Sequence, residues 1–272
     1  LINGGFLGAP VPTTLSTAPG RYGIRDYYRK QAPKPVLDLN DTWPIAPADP
    51  NFSSVQILCH FRNDQTVVGA FPILGVQSGG YFAARAGATG NILSGLSPTQ
   101  SKWYAHSYVV GGTNGGAIQS AAPTAAGVGD FTIEIWQWFI GIGNNPAFID
   151  FTSADGNVVA PFGQVSPTGP LRYFANVTGA VSILGTTTVT INTWHHIAVS
   201  RTSGTTSLQL DGTREGTFVD ASNYVGQACY LGQAANSTNS LNGYFQDFRY
   251  TVGVGRYPGA TYTVPTGPFP DY

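Results

Sequence analysis

The 272-residue chain contains no methionine, only two cysteines and only two glutamates, and just 10% of its residues are charged. Each shortage excludes something. A net charge of −1 gives no global basic field for nucleic acid or an anionic membrane, so neither is an expected partner. No apolar run reaches the 18 residues or so of a membrane-spanning helix. Leu1–Leu7 lacks a basic n-region and is interrupted by Asn3-Gly4-Gly5, so no signal peptide is visible. The chain opens at Leu1 without an initiator, and a trimmed or incomplete N-terminus is expected. Cys59 and Cys229 each lie in an apolar run and read as two buried thiols. A disulfide would need their strands to be neighbours, which the sequence leaves open. Reduced thiols and assembly in a cytoplasm are the expectation.

What the chain has in quantity is glycine (35), proline (19) and aromatic residues (12%). That usage, with little amphipathic helix pattern, belongs to many short strands joined by turns. Strand-like runs recur about every ten residues, at Val55–Cys59, Phe131–Trp136, Phe148–Phe151, Leu171–Ala175, Val181–Leu184, His196–Ser200, Ser207–Leu210, Cys229–Leu231 and Gly243–Tyr250. Thr202-Ser203-Gly204-Thr205 and Asp211-Gly212 supply residues that tolerate positive φ in tight reversals. In Phe131–Trp136, Phe131, Ile133 and Ile135 alternate with Thr132, Glu134 and Trp136. One face is core, and the other is semi-exposed or covered by loops.

Residues 1–48 differ, with seven of the 19 prolines and no long alternation. They read as an extended arm, followed by a β domain over 49–272. Within the arm, Arg21, Tyr22, Ile24, Arg25, Tyr27, Tyr28, Arg29 and Lys30 form a basic, aromatic segment with Ile24, Tyr27 and Tyr28 on one helical face. An arm that cannot bury its own apolar groups is expected to anchor on a partner surface.

The second half of the chain resembles the laminin-G/concanavalin-A-like jelly roll, in the form found in tailed-phage virion proteins. The likeness rests on Trp194-His195-His196-Ile197-Ala198, the Asp211-Gly212 hairpin, Gly243-Tyr244-Phe245-Gln246-Asp247-Phe248-Arg249 and Pro265-Thr266-Gly267-Pro268-Phe269-Pro270. It extends through the Trp136 strand back to about Asp49. The resemblance implies an all-β antiparallel sandwich, with Trp136, Trp194, His195, His196, Asp247 and Phe248 as structural signature. It also raises calcium, which relatives hold through loop carboxylates. Asp150, Asp155, Asn157, Asp211 and Asp220 supply suitable oxygens for a metal or glycan rim, although turn geometry alone explains Asp155-Gly156 and Asp211-Gly212.

Catalysis finds no support. His195 and His196 are adjacent on a strand, so they face opposite sides and cannot share a site. Glucanases of this fold use three carboxylates alternating along one strand, and neither Glu134 nor Glu215 sits in such a motif. No nucleophile, P-loop or dinucleotide motif occurs. Trp136 and Trp138 are candidate sugar platforms, with sandwich packing as the plainer alternative. The resemblance thus implies a non-enzymatic virion component, expected to be homo-oligomeric. Its arm would dock on capsid, neck or tail, and its domain would face outward at the virion surface, toward host glycans. A ligand-free cement protein and a secreted lectin-like adhesion domain are the alternatives.

Overall fold

The computed structural model describes residues 48–62, 70–72, 74, 80–84, 94–111, 116, 118–143, 145–152, 159–176 and 180–272. The arm and its anchoring residues Arg21–Lys30 lie outside the described residues, as do Asp155 and Asn157. The strands in chain order are β1 (Val55–Cys59), β2 (Ala70–Pro72), β3 (Tyr81–Ala84), β4 (Gly95–Ser97), β5 (Ser107–Gly111), β6 (Ile118–Gln119), β7 (Phe131–Gly141) and β8 (Ala147–Asp150). There follow β9 (Phe162–Val165), β10 (Pro170–Phe174), β11 (Ile183–Thr188), β12 (Trp194–Thr202), β13 (Thr205–Leu210), β14 (Thr213–Val219), β15 (Tyr230–Leu231) and β16 (Asn242–Val252). The only helical element among the described residues is one 3-10 turn, Phe52–Ser54.

Two antiparallel eight-stranded sheets form a jelly-roll sandwich. Sheet A runs β14-β13-β12-β7-β16-β5-β4, with β1 also on β16, and sheet B runs β11-β10-β9-β8-β15-β6-β3-β2. The core is the set of inward side chains that period-two alternation selects. Phe131, Ile133, Ile135 and Phe139 of β7 share the core with Leu171 and Tyr173 of sheet B and with the consecutive Phe148 and Ile149, where an irregularity in β8 interrupts the alternation. The β12–β13 and β13–β14 hairpins turn on Ser203-Gly204 (φ 49° and 74°) and Asp211-Gly212 (φ 47° and 87°). Both pairs take the positive φ that matches strand twist in a two-residue reversal.

Two glutamate and arginine placements close the sandwich. Arg201, fully buried, donates from Nε to the Gly129 carbonyl at 2.7 Å, from Nη1 to Ser222 at 2.8 Å and from Nη2 to Gly127 at 2.7 Å. It thereby ties two loops to one end of β12. Glu215 of β14 accepts from the Thr186 and Thr187 backbone N–H groups, both at 2.7 Å, satisfying donors on the edge strand β11 that would otherwise be open to pairing. Cys59 and Cys229 are free, buried thiols, and burial pushes both well above the ordinary thiol range.

Candidate functional site on the outer face of sheet A

The outer face of sheet A carries the second set of alternating residues from β12, β7 and β16. Register places them in rows: Trp194–Trp138–Tyr244, then His196–Trp136–Gln246, then Ala198–Glu134–Arg249. A bulge at Asp247, with φ 59°, restores the alternation, so that Gln246 and Arg249 both face outward while Phe245 and Phe248 enter the core. Asp247 itself is a brace. Its Oδ1 accepts from His60 Nδ1 at 2.5 Å and its Oδ2 from the Phe269 N–H at 2.7 Å.

Most of this face is not semi-exposed as alternation alone suggests, because the C-terminal segment crosses it. Thr132, Glu134 and Trp136 are buried. Glu134 Oε1 accepts from Arg249 Nε at 2.8 Å, and its Oε2 accepts from the Tyr257 hydroxyl at 2.5 Å and lies 3.3 Å from His196 Nε2. Arg249 and Arg256 both hold Asp49, Arg256 through two bonds of 3.0 and 2.8 Å. The Tyr262 hydroxyl sits 2.5 Å from His196 Nδ1, and Asp49 N–H donates to the Tyr272 carbonyl at 2.8 Å. Burial alone would raise the Glu134 pKa, but Arg249 and His196 overcome it and hold the carboxyl far below the usual range. The carboxylates of Glu134 and Asp49 are thus held by ion pairs and hydrogen bonds within the protein.

The first row is different. Trp138 and Trp194 are half-buried, with ring centroids 6.0 Å apart at 65°, and Tyr244 continues the row at 8% exposure. The Trp136 and Trp194 indole N–H groups are buried without a protein partner. Lys102 lies over the second row, its Nζ 4.2 Å from the centre of the Trp136 ring and 4.9 Å from that of Trp103. Desolvation lowers its pKa. The Lys102 and Trp103 N–H groups both donate to Gln246 Oε1, at 2.9 and 2.8 Å, which fixes the loop that carries them. Gly243 permits the close β7–β16 approach behind the row, since a Cβ there would collide with the Trp138 carbonyl oxygen.

The carboxylates proposed as a rim are not brought together. Asp150 lies in sheet B with Oδ1 accepting from Thr152 N–H at 2.6 Å and Oδ2 from Ala235 N–H at 2.7 Å. Asp211 and Asp220 lie at opposite ends of β13 and β14. Asp220 takes the Thr206 and Tyr224 hydroxyls at 2.6 and 2.7 Å, while Asp211 takes the His196 N–H at 2.8 Å and His195 Nδ1 at 2.6 Å. Oxygens already saturated by N–H and O–H donors do not suit calcium. Among the described residues no group of three or more His, Cys, Asp or Glu could hold a metal. His195 and His196 do face opposite sides, and both are structural. The two ring nitrogens of His195 meet Asp211 and the Thr190 carbonyl at 2.6 and 2.7 Å. Two acceptors require a doubly protonated ring. Burial works against that charge, but Asp211 and Thr190 outweigh it and raise the His195 pKa.

With Glu134 locked in the ionic network and Glu215 capping β11, both glutamates are structural, and neither is placed as a glycosidase carboxylate. A family profile described as the concanavalin A-like lectin/glucanases superfamily matches residues 110–251, more than half of the chain, and the chain belongs to that superfamily. Among solved structures it is similar to domain 4 of AbnA, a GH43 extracellular arabinanase from Geobacillus stearothermophilus, in complex with arabinotriose. The TM-score is 0.52 at 11% identity, covering 74% of this chain and 94% of that one. It is also similar to the binding domain of botulinum neurotoxin DC, solved in complex with SialylT (TM-score 0.50, 15% identity, 74% and 48% coverage). The same toxin's binding domain in complex with rat synaptotagmin II gives a TM-score of 0.51 at 12% identity, with 74% and 48% coverage. The chain thus spans about half the length of the toxin domains. At these identities the likeness concerns the fold. No curated protein sequence matches.

Proposed function

We propose that the domain binds carbohydrate without acting on it, through the Trp194–Trp138–Tyr244 row and Lys102 over the adjoining row. The observation that carries this is the contrast in saturation across one face. The carboxylates around Glu134 are tied up in ion pairs beneath the C-terminal segment, whereas the row keeps two half-buried indoles, Trp138 and Trp194. Indole faces stack on the C–H faces of pyranose rings, and the ammonium suits hydroxyl oxygens. Affinity per site would be weak, and several copies would supply avidity.

A secreted lectin-like binding or adhesion domain is the favoured setting. The similar structures named above are a domain of an extracellular arabinanase and toxin binding domains, which supports the reading by analogy of fold. Display on a tailed-phage particle, with the arm anchored on capsid, neck or tail, is the second reading. Its support is the Trp-His-His strand and the Pro-rich tail in the sequence. A glycan array probed with the full chain, with and without calcium, tests the proposal. The expected result is a set of positive glycans unaffected by chelator and lost in Trp138→Ala. An empty array would overturn it, and chelator-sensitive binding would move the site to carboxylates instead.

A further inference from the structure

Three of the arginines among the described residues are paired with acids. Arg201 lies 3.7 Å from Asp220, Arg249 binds Glu134 and Asp49, and Arg256 binds Asp49. Arg172 of β10 is an exception, and it sits on the opposite side of the sandwich. Its strand neighbours Leu171 and Tyr173 point into the core, so Arg172 and Phe174 lie on the outer face of sheet B. The guanidinium is half-buried and 5.9 Å from the centre of the Phe174 ring. No carboxylate among the described residues lies within ion-pair distance of it.

The group is nevertheless held in place. Nη2 donates to Asn145 Oδ1 at 2.7 Å. Turning the Gln164 amide over lets its oxygen accept from Nη2 at 3.1 Å while its nitrogen donates to the Asn145 carbonyl at 3.3 Å. Nε is buried without a partner, and Nη1 makes no hydrogen bond and is not buried. Phe174 packs on Phe162 with ring centroids 5.5 Å apart, and Leu184, directly across the strand from Arg172, is 59% exposed. Desolvation works against the charge and lowers the Arg172 pKa. The result is a partly desolvated, pre-positioned cation with an open edge, flanked by apolar surface.

We propose that Arg172 is the anion-binding group of a second saccharide site, one that takes a sugar bearing a carboxylate, such as a uronate or a sialate. The carboxylate would take the open Nη1 edge of the guanidinium, in charge-assisted hydrogen bonds that arginine makes better than lysine. The sugar's apolar face would rest toward Phe174 and Leu184. Bracing by Asn145 and Gln164 removes much of the ordering cost of that contact. The inference rests on the reading of the domain as a carbohydrate binder, but it involves a different face and a different chemistry from the aromatic row.

The test uses the full chain, titrated with 3′-sialyllactose and digalacturonic acid, and with lactose and galactobiose as their neutral counterparts. Affinity is measured by calorimetry, and the Arg172 Nε–Hε resonance is followed in the wild-type chain. The expected result is at least tenfold tighter binding of one or both acidic sugars, with a shift of that resonance. Arg172→Gln should abolish the advantage while leaving neutral-sugar binding intact, which also shows that the variant is folded; Arg172→Lys should restore only part. The two acidic probes separate a sialate from a uronate site. Equal binding of acidic and neutral sugars, or an advantage that survives Arg172→Gln, overturns this site and leaves the aromatic row standing. Absence of binding by any sugar overturns both. Tighter, Arg172-dependent binding of a polyglutamate peptide than of either acidic sugar overturns the saccharide assignment in favour of an acidic protein partner.

Discussion

The outer face of sheet A holds two regions built on the same three strands. Toward the start of β7, Glu134, Arg249, Asp49, Arg256, Tyr257, His196 and Tyr262 form a closed network beneath the C-terminal segment. Toward its end, Trp138 and Trp194 stay half-buried. The first region shows how a sheet face becomes structural: a buried charge is tolerated only when each of its hydrogen-bonding positions is filled. The second shows what a face looks like when it is left available. Large aromatic groups are in register there.

The sharpest way to break that comparison is to open the network. Arg249→Met leaves Glu134 buried with its main counter-charge removed, and the expected loss is about 3–5 kcal/mol, read from urea unfolding. Sugar binding by the fraction that remains folded should be unchanged. The same substitution should alter the acid limb. Glu134 is held well below its ordinary range, mainly by Arg249 acting against burial, so its stabilising contribution is full above the unfolded pKa of about 4.5 and disappears only as pH falls toward the depressed folded value. Melting temperature measured from pH 5 down to pH 2 should fall less steeply for Arg249→Met than for the wild type.

In the other region the effect should be on binding, not on folding. Trp138→Ala removes one of the two half-buried indoles, and a loss of about tenfold in affinity, equal to about 1.4 kcal/mol, is expected by calorimetry with an array-positive oligosaccharide. A change in stability without a change in affinity would place Trp138 with the core.

The smallest effect concerns the hairpin between the two regions. Asp211 and Thr190, acting against burial, raise the His195 pKa above its unfolded value of about 6.5. The stabilisation is therefore complete below that pH and is lost as pH rises through the folded pKa. Asp211 is partly exposed, so solvent screening keeps the effect modest. Melting temperature should decline gently from pH 6.5 to 8.5, and Asp211→Asn should flatten the decline.

Much of the fold was readable because the relevant signals are local. Ser203-Gly204 and Asp211-Gly212 set the hairpins, and alternation in Phe131–Trp136 set the inward face. The strands expected near residues 55, 131, 171, 196, 207 and 243 are β1, β7, β10, β12, β13 and β16. Strands β2, β3, β4, β5 and β6, together with β9 and β14, escaped notice. Phe162–Val165 contains a glycine and lies just after Pro161, while Thr213–Val219 carries charge and glycine and is held at the sheet edge by Glu215. The site was less legible. Trp138 stood out as an aromatic, but its partners Trp194 and Tyr244 are set by register between strands roughly fifty residues or more apart. The aspartates looked available because sequence does not reveal the backbone N–H groups, hydroxyls and imidazole that bond their oxygens. Burial of Glu134 depended on the C-terminal segment crossing the face, a tertiary event without a local pattern.

The measurement that tests the account most directly is a titration of the full chain with an array-positive oligosaccharide, followed through the indole N–H resonances. The account predicts that Trp136, Trp138 and Trp194 shift together and saturably while the Arg249 and Arg256 Nε–Hε signals stay fixed. Binding that leaves those three indoles unmoved would contradict it, and would place the ligand elsewhere on the sandwich.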